Sequence, residues 1–301
     1  MPNAQFPIPN SQQTWHGSLD LRYADRQGST QLIRDRSVAP LKVQRPFYPE
    51  GREVCHSVVL HTAGGMVGGD RLSQEICLEP NARALVTTAA AAKIYRSNGR
   101  LARQTIRIAV DSGACLEWFP QETILFDGAQ YQQDLRVELA PGALWLGWEI
   151  LRFGRSARGE RFLGGTWRSN AEIWQNGRPL WIDRQQLAGG EEAIDSAYSL
   201  AGAPVVASLA WVGQPVSAEL VRQVRELWSR QEDSAESDSS RATIGATAGA
   251  TTGATRLMSG MLCRYRGSSS TAARRWFMDV WQLLRLSFLG RPSCPPRVWP
   301  L

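Results

Sequence analysis

The sequence predicts a mainly β fold: a stacked, layered antiparallel and helical β body built of repeated hairpins, with about two α-helices in the C-terminal third. Two observations carry this. From about Cys55 to Trp211, short runs rich in pleat-favouring residues are separated by Gly, Pro, Asn and Asp. No helical pattern of 10–15 residues alternates with them, which argues against a βαβ sheet. Three segments also echo one another: ICLEPNARALVTT, IRIAVDSGACLEWF and LRVELAPGALWLGW. Each reads as an alternating strand, a turn, an alanine (Ala82, Ala114, Ala143) and a second strand. Two period-2 runs joined by turn residues predict a hairpin, and one hairpin cannot bury its own apolar face, so the units are expected to stack.

Taken in order, the strands expected are Val54–His61, Ala84–Thr88, Gln104–Val110, Leu135–Leu139 and Val205–Val212. Ser217 is placed to cap a helix whose Leu220, Val221, Val224, Leu227 and Trp228 share a face. A second helix follows Thr271, with Trp276, Phe277, Val280, Trp281, Leu284 and Phe288 at helical spacing; Gly290 and Pro292 are placed to end it. Between the helices, residues 231–256 have almost no large apolar side chain and are expected to form a disordered Gly/Ala/Thr/Ser-rich insertion. The whole chain, 1–301, is read as one domain.

Composition narrows the function. Hydrophobic residues at 43% and charged residues at 21% describe a folded globular chain. Five cysteines without a C-x-x-C pair argue against a disulfide framework and a zinc knuckle. The N-terminus lacks a basic region followed by an apolar one, so a cytoplasmic location is expected, and no segment has the apolar density of a membrane span. The net charge of +6 comes almost wholly from arginine. A basic interaction protein or nucleic-acid binder is the alternative function, but the arginines are scattered among acids instead of clustered with aromatics, and no nucleic acid is expected as a partner.

Catalytic patterns are missing. Gly64-Gly65-Met66-Val67-Gly68-Gly69-Asp70 lacks the Lys and Ser/Thr of a phosphate loop, and Asp70 would repel phosphate. The three histidines, His16, His56 and His61, form no triad or metal-ligand spacing, and no G-x-S-x-G elbow occurs. No enzyme activity is expected. What stands out is a set of acids in apolar or aromatic surroundings: Asp70, Glu117, Glu122, Asp127 and Glu149. An unpaired buried carboxylate is costly. Either arginines pair with these acids or they line a polar, water-filled cavity; arginines are plentiful, and the residue types alone favour the pairing.

At these same places the chain resembles the urease accessory protein UreD (UreH) family. HTAGGMVGGDRL resembles its H-x-x-G-G-x-x-G-G-D block, and TTAAAAKIYRS its T-T-x-x-A-T-K-x-Y-R-S block. LEWFPQETILFDGA is similar to its L-E-W-x-P-Q-E-T-I-x-F block. WEILRFGRSARGERFLGG is similar to its W-E-x-x-x-x-G-R-x-x-x-G-E block, and the likeness runs on through RYRGSSSTAARRWFMDVWQLLR to PRVW. The departures are Ala89-Ala90-Ala91 and the insertion. The resemblance implies a non-enzymatic maturation factor, a chaperone or scaffold that joins UreF and UreG on the urease structural subunits and helps deliver nickel. It implies no permanently bound cofactor, only Ni²⁺ in transit, with Asp70, Glu117, Glu122, Asp127 and Glu149 as candidate residues of the path. Trp276, Phe277 and Trp281 occupy more than one side of their helix: either one side packs on the β body and the other docks UreF, or the helix is buried on both sides.

Overall fold

The computed structural model describes residues 14–155, 158–237 and 249–299. Two β-sheets lie face to face and a helical layer covers the outer side of the second. The first sheet holds β1 (His16–Arg26), β2 (Ser29–Val38), β5 (Arg71–Leu78), β8 (Ala102–Val110), β11 (Gln130–Leu139), β13 (Thr166–Gln175) and β14 (Arg178–Ala188). Its strand order is β14-β13-β11-β8-β5-β1-β2. The second holds β3 (Leu41–Val43), β4 (Val54–His61), β6 (Arg83–Thr88), β9 (Cys115–Phe119), β12 (Leu144–Phe153), β15 (Val205–Val212), β16 (Thr251–Leu257) and β17 (Gly260–Gly267). Its order is β16-β17-β15-β12-β9-β6-β4-β3, with β7 (Ala92–Ile94) and β10 (Thr123–Leu125) paired beside β12. The helices are α1 (Glu191–Asp195), α2 (Ala218–Ser237) and α3 (Ser270–Leu284), and α3 continues into a π-helical turn, Arg285–Leu289.

The echo seen in the sequence is real, but its pairing differs from a hairpin. The two strands of each unit, β5 and β6, β8 and β9, β11 and β12, lie in opposite sheets. Each strand pairs in parallel with its counterpart in the next unit: β5 with β8, β8 with β11, β6 with β9, and β9 with β12. The turns are therefore arches between sheets, and the units are stacked coils of a β-solenoid. Antiparallel pairing is confined to the flanks, at β1–β2, β3–β4, β13–β14 and β12–β15–β17–β16. Alternation and turn residues are common to hairpins and arches, so the sequence pattern could not distinguish them. The arches stack directly: Asn81, Gly113 and Gly142 all take positive φ, and the Cys115 N–H reaches Ala82 O while that of Leu144 reaches Ala114 O, both at 3.0 Å. The alanines after each arch are fully buried, where a larger side chain would separate the coils.

Burial follows the layers. In the first sheet β5 alternates exposed and buried residues, because one face meets water. In the second, β9 is buried at every position, since both faces are covered. One apolar core lies between the sheets and another between the second sheet and the helices. The Ser217 hydroxyl accepts the Leu220 N–H at 3.1 Å, as its position predicts. Ser269 caps α3, accepting the Ala272 N–H at 3.1 Å, so the helix begins before Thr271, and Gly290 ends the helical run with φ of 64°. The segment expected to be a disordered insertion is corrected at both ends: α2 extends through Ser237, and Thr251–Leu257 forms β16 against β17. Residues 238–248 of it lie outside the described residues.

Candidate functional site: a polar seam between the sheets

Parallel register turns single polar residues into rows. On the inner face of the first sheet, Gln104, Gln133 and Ser169 stand side by side on β8, β11 and β13. Opposite them on the second sheet, Glu149, Ser208 and Arg264 stand side by side on β12, β15 and β17. Residues of both rows line a cavity of ≈ 80 Å³ together with Gln74, Gln121, Asp183 and the ring systems of Trp118, Trp145 and Trp148. That space is several times what one water needs, and its polar walls suit water. Gln74 is buried and its Oε1 has no protein partner. The Tyr131 hydroxyl lies 3.0 Å from Gln104 Oε1, and burial pushes its pKa far up, so it stays neutral.

Glu149 is the charged group at the centre. Gln133 Nε2 donates to its Oε1 at 2.6 Å, and the Ser169 hydroxyl lies 3.1 Å from each carboxylate oxygen. Protein surrounds it on all sides, yet part of its surface stays accessible because the carboxylate borders the cavity. Burial, helped by the nearby Asp183 charge, pushes its pKa up to about 7, against the hydrogen bond from Ser169 and the charge of Arg264. Asp183 is in turn held by Arg264 Nη2 at 2.8 Å and Gln185 Nε2 at 2.7 Å, and Arg264 Nη1 also reaches Ser208 Oγ at 3.2 Å. With Asp183 held by Arg264, the seam offers the Glu149 carboxylate and several neutral oxygens, a donor set that suits a hydrated divalent cation.

The other four acids are separate from this seam and from one another. Asp70 closes the glycine turn: its two oxygens accept the N–H groups of Trp15 and Val67, each at 2.9 Å. The glycines serve the same turn, Gly69 at φ of 99° and Gly68 where a Cβ would collide with Ser97 Oγ. Glu117 receives Arg285 Nη2 at 2.6 Å and Trp281 Nε1 at 2.6 Å, deep beneath α3. Arg285 also binds Glu50 and the Pro292 carbonyl, and Glu50 binds His56 Nε2 at 2.7 Å. Burial works against the Glu50 charge, but hydrogen bonds from His56 and Arg285 outweigh it and hold the pKa at about 2. Glu122 pairs with Arg274. Asp127 pairs with Arg96 at 2.6 Å and accepts the Gly164 N–H at 2.8 Å. The five acids are not gathered at one point: among the described residues no three His, Cys, Asp or Glu side chains converge on a metal-sized site.

The docking alternative for the aromatic residues of α3 is corrected. Trp276, Phe277 and Trp281 are all fully buried in the core between α3 and the second sheet. Trp276 Nε1 donates to Val224 O of α2 at 3.2 Å, and Trp281 reaches Glu117, so both sides of α3 are occupied from within the chain. The covered helix explains its wide apolar surface, and these residues present nothing to a partner.

The sequence reading missed Gln104, Gln133, Ser169, Asp183 and Ser208. A signal was present: Gln104 shares parity with Ile106 and Ile108, Gln133 with Leu135 and Val137, and Ser169 with Ala171 and Ile173. Each is a polar residue in phase with a buried stripe.

Fold and site together define a β-solenoid with a polar seam between its two sheets and a helical cover over the second. The profile of the UreD urease accessory protein family matches residues 16–300, and the chain belongs to that family. It is 63% identical over 294 residues to the urease accessory protein UreD of Nostoc punctiforme, covering 97% of this chain and 99% of that one. It is 60% identical to that of Trichormus variabilis over 95% and 96% of the two chains. To that of Methylobacillus flagellatus it is 38% identical over 95% and 94%.

Proposed function

We propose that this chain is a cytoplasmic, non-catalytic urease maturation factor that acts with UreF and UreG on the urease structural subunits, and that Ni²⁺ passes through the seam at Glu149 on its way to the urease active site. Family membership supports the maturation role. The observation that carries the route is the register of Gln104, Gln133 and Ser169 against Glu149 and Ser208, which surrounds one carboxylate with exchangeable neutral oxygens. Such a donor set binds Ni²⁺ weakly enough to release it, as a conduit requires, so no metal stays as a cofactor. Asp70, Glu117, Glu122 and Asp127 act as braces around this route through the partners described above.

The test is co-expression of this chain with the urease subunits, UreF and UreG, comparing wild type with Glu149→Gln. The amide keeps the size of the side chain and removes its charge. The accessory complex should form in normal yield while the nickel content of the purified urease falls. Normal nickel with normal assembly would overturn the route.

A further inference from the structure

We propose that the solvent face of the first sheet carries a docking strip for an extended acidic segment of a partner protein, formed by Arg71, Arg103, Gln132 and Arg168. This surface is on the opposite side of the sheet from the seam and stands independently of the nickel reading. The four residues lie side by side on β5, β8, β11 and β13. The three arginines are exposed. None of them forms an ion pair among the described residues, and the one side-chain bond in the strip is Arg103 Nη2 to Gln132 Oε1 at 3.2 Å.

Folding does not call for such a row. Like charges side by side on neighbouring strands oppose sheet formation. Four residues further along the same strands, the sheet neutralises its charges: Glu75, Arg107, Arg136 and Glu172 are in register, with Arg107–Glu75 at 3.9 Å and Arg136–Glu172 at 2.9 Å. Asp134, two residues along β11 from Gln132, is occupied by amides, Gln132 Nε2 at 3.0 Å and Asn170 Nδ2 at 2.7 Å. Among the described residues the guanidinium groups of Arg71 and Arg168 are thus left free for external carboxylates, which such groups hold bidentately, and Arg103 keeps donors beyond the one given to Gln132.

The dimensions select the occupant. Neighbouring strands are ~4.8 Å apart, so Arg71 and Arg168, three steps apart, are separated by roughly 14 Å. An extended peptide rises ~3.3 Å per residue, so acids four residues apart span about 13 Å and meet both ends. A nucleic-acid backbone broad enough to cover several rows would instead rest on Asp134, Glu75 and Glu172.

The test uses the full chain and a fluorescent, Ser/Thr-rich seven-residue peptide with Asp at its second and sixth positions. Its Lys counterpart and a short DNA duplex are the comparison probes. The acidic peptide should bind, weaken as salt rises, and bind at least ~10-fold more weakly to Arg71→Gln/Arg103→Gln/Arg168→Gln. Arg36→Gln/Arg52→Gln/Arg178→Gln, which removes three exposed arginines elsewhere, should bind as wild type does. Arg71→Glu/Arg103→Glu/Arg168→Glu should prefer the Lys peptide. Equal peptide binding by the wild type and the first triple variant would overturn the proposal; that variant gives up one exposed side-chain hydrogen bond, Arg103 to Gln132, and an unchanged circular dichroism spectrum checks its fold. Tighter binding of the duplex than of the acidic peptide, lost in the same variant, would overturn it in favour of nucleic acid.

Discussion

Glu149 shows how far a single side chain can set the pH response of the molecule. Its pKa is about 7 in the folded protein against an ordinary 4.5. Between those values the folded chain holds a proton that the unfolded chain has lost, so stability falls as pH rises through that window. Above pH 7 the cost is at most about 3 kcal/mol, less where cavity water solvates the charge. Glu149→Gln removes this dependence. Urea denaturation should give it a higher midpoint than wild type at pH 8 and an equal one near pH 4, and equal midpoints at pH 8 would refute the assignment. Arg285 works in the opposite sense. It is 1% exposed and forms ion pairs with both Glu117 and Glu50. Arg285→Met should cost ~3–5 kcal/mol, because Glu117 would then be buried without a counter-charge. Adding Glu117→Gln should recover part of that loss, and a double-mutant cycle measures the coupling. Glu50, held at about 2, contributes stability that is complete above its ordinary pKa of 4.5 and is lost as pH falls toward 2.

Among the elements, α3 and the coil units show what a linear pattern conveys. The apolar spacing of α3 marked a helix, and its Gly290 stop is where expected, but spacing alone does not say what covers the second side. The answer came from distant residues: α2 through Val224, and Glu117 across 164 positions of chain. Trp276→Ala should therefore act as a core truncation, costing ~3–5 kcal/mol in chemical denaturation. A loss under 1 kcal/mol would mean that the helix is not covered as described. In the coil units, strand positions were legible because half-buried strands alternate, as in β5. Their partners were not, because pairing between units some thirty residues apart leaves no mark within either unit. The seam was hidden for the same reason: a glutamine in phase with isoleucines becomes a row only when the register of three strands is known.

At the scale of the whole molecule, the layering was readable as far as the fold class and the late helices. The sequence reading placed the second helix start two residues late and lost β16 to a Gly/Thr-rich composition that resembles a loop. That strand survives because β17 supplies its hydrogen bonds and Ala254 packs into the helical core. The same core has an optical consequence. Six of the twelve tryptophans, Trp148, Trp211, Trp228, Trp276, Trp281 and Trp299, lie in it, several with ring centroids 5–6 Å apart. Intrinsic fluorescence should therefore report chiefly on the helical cover, while far-ultraviolet circular dichroism reports on the coils. If the cover detaches first on heating, emission shifts to the red while the β signal persists, and the gap between the two transitions gives the separate melting of cover and coil in one sample without any label.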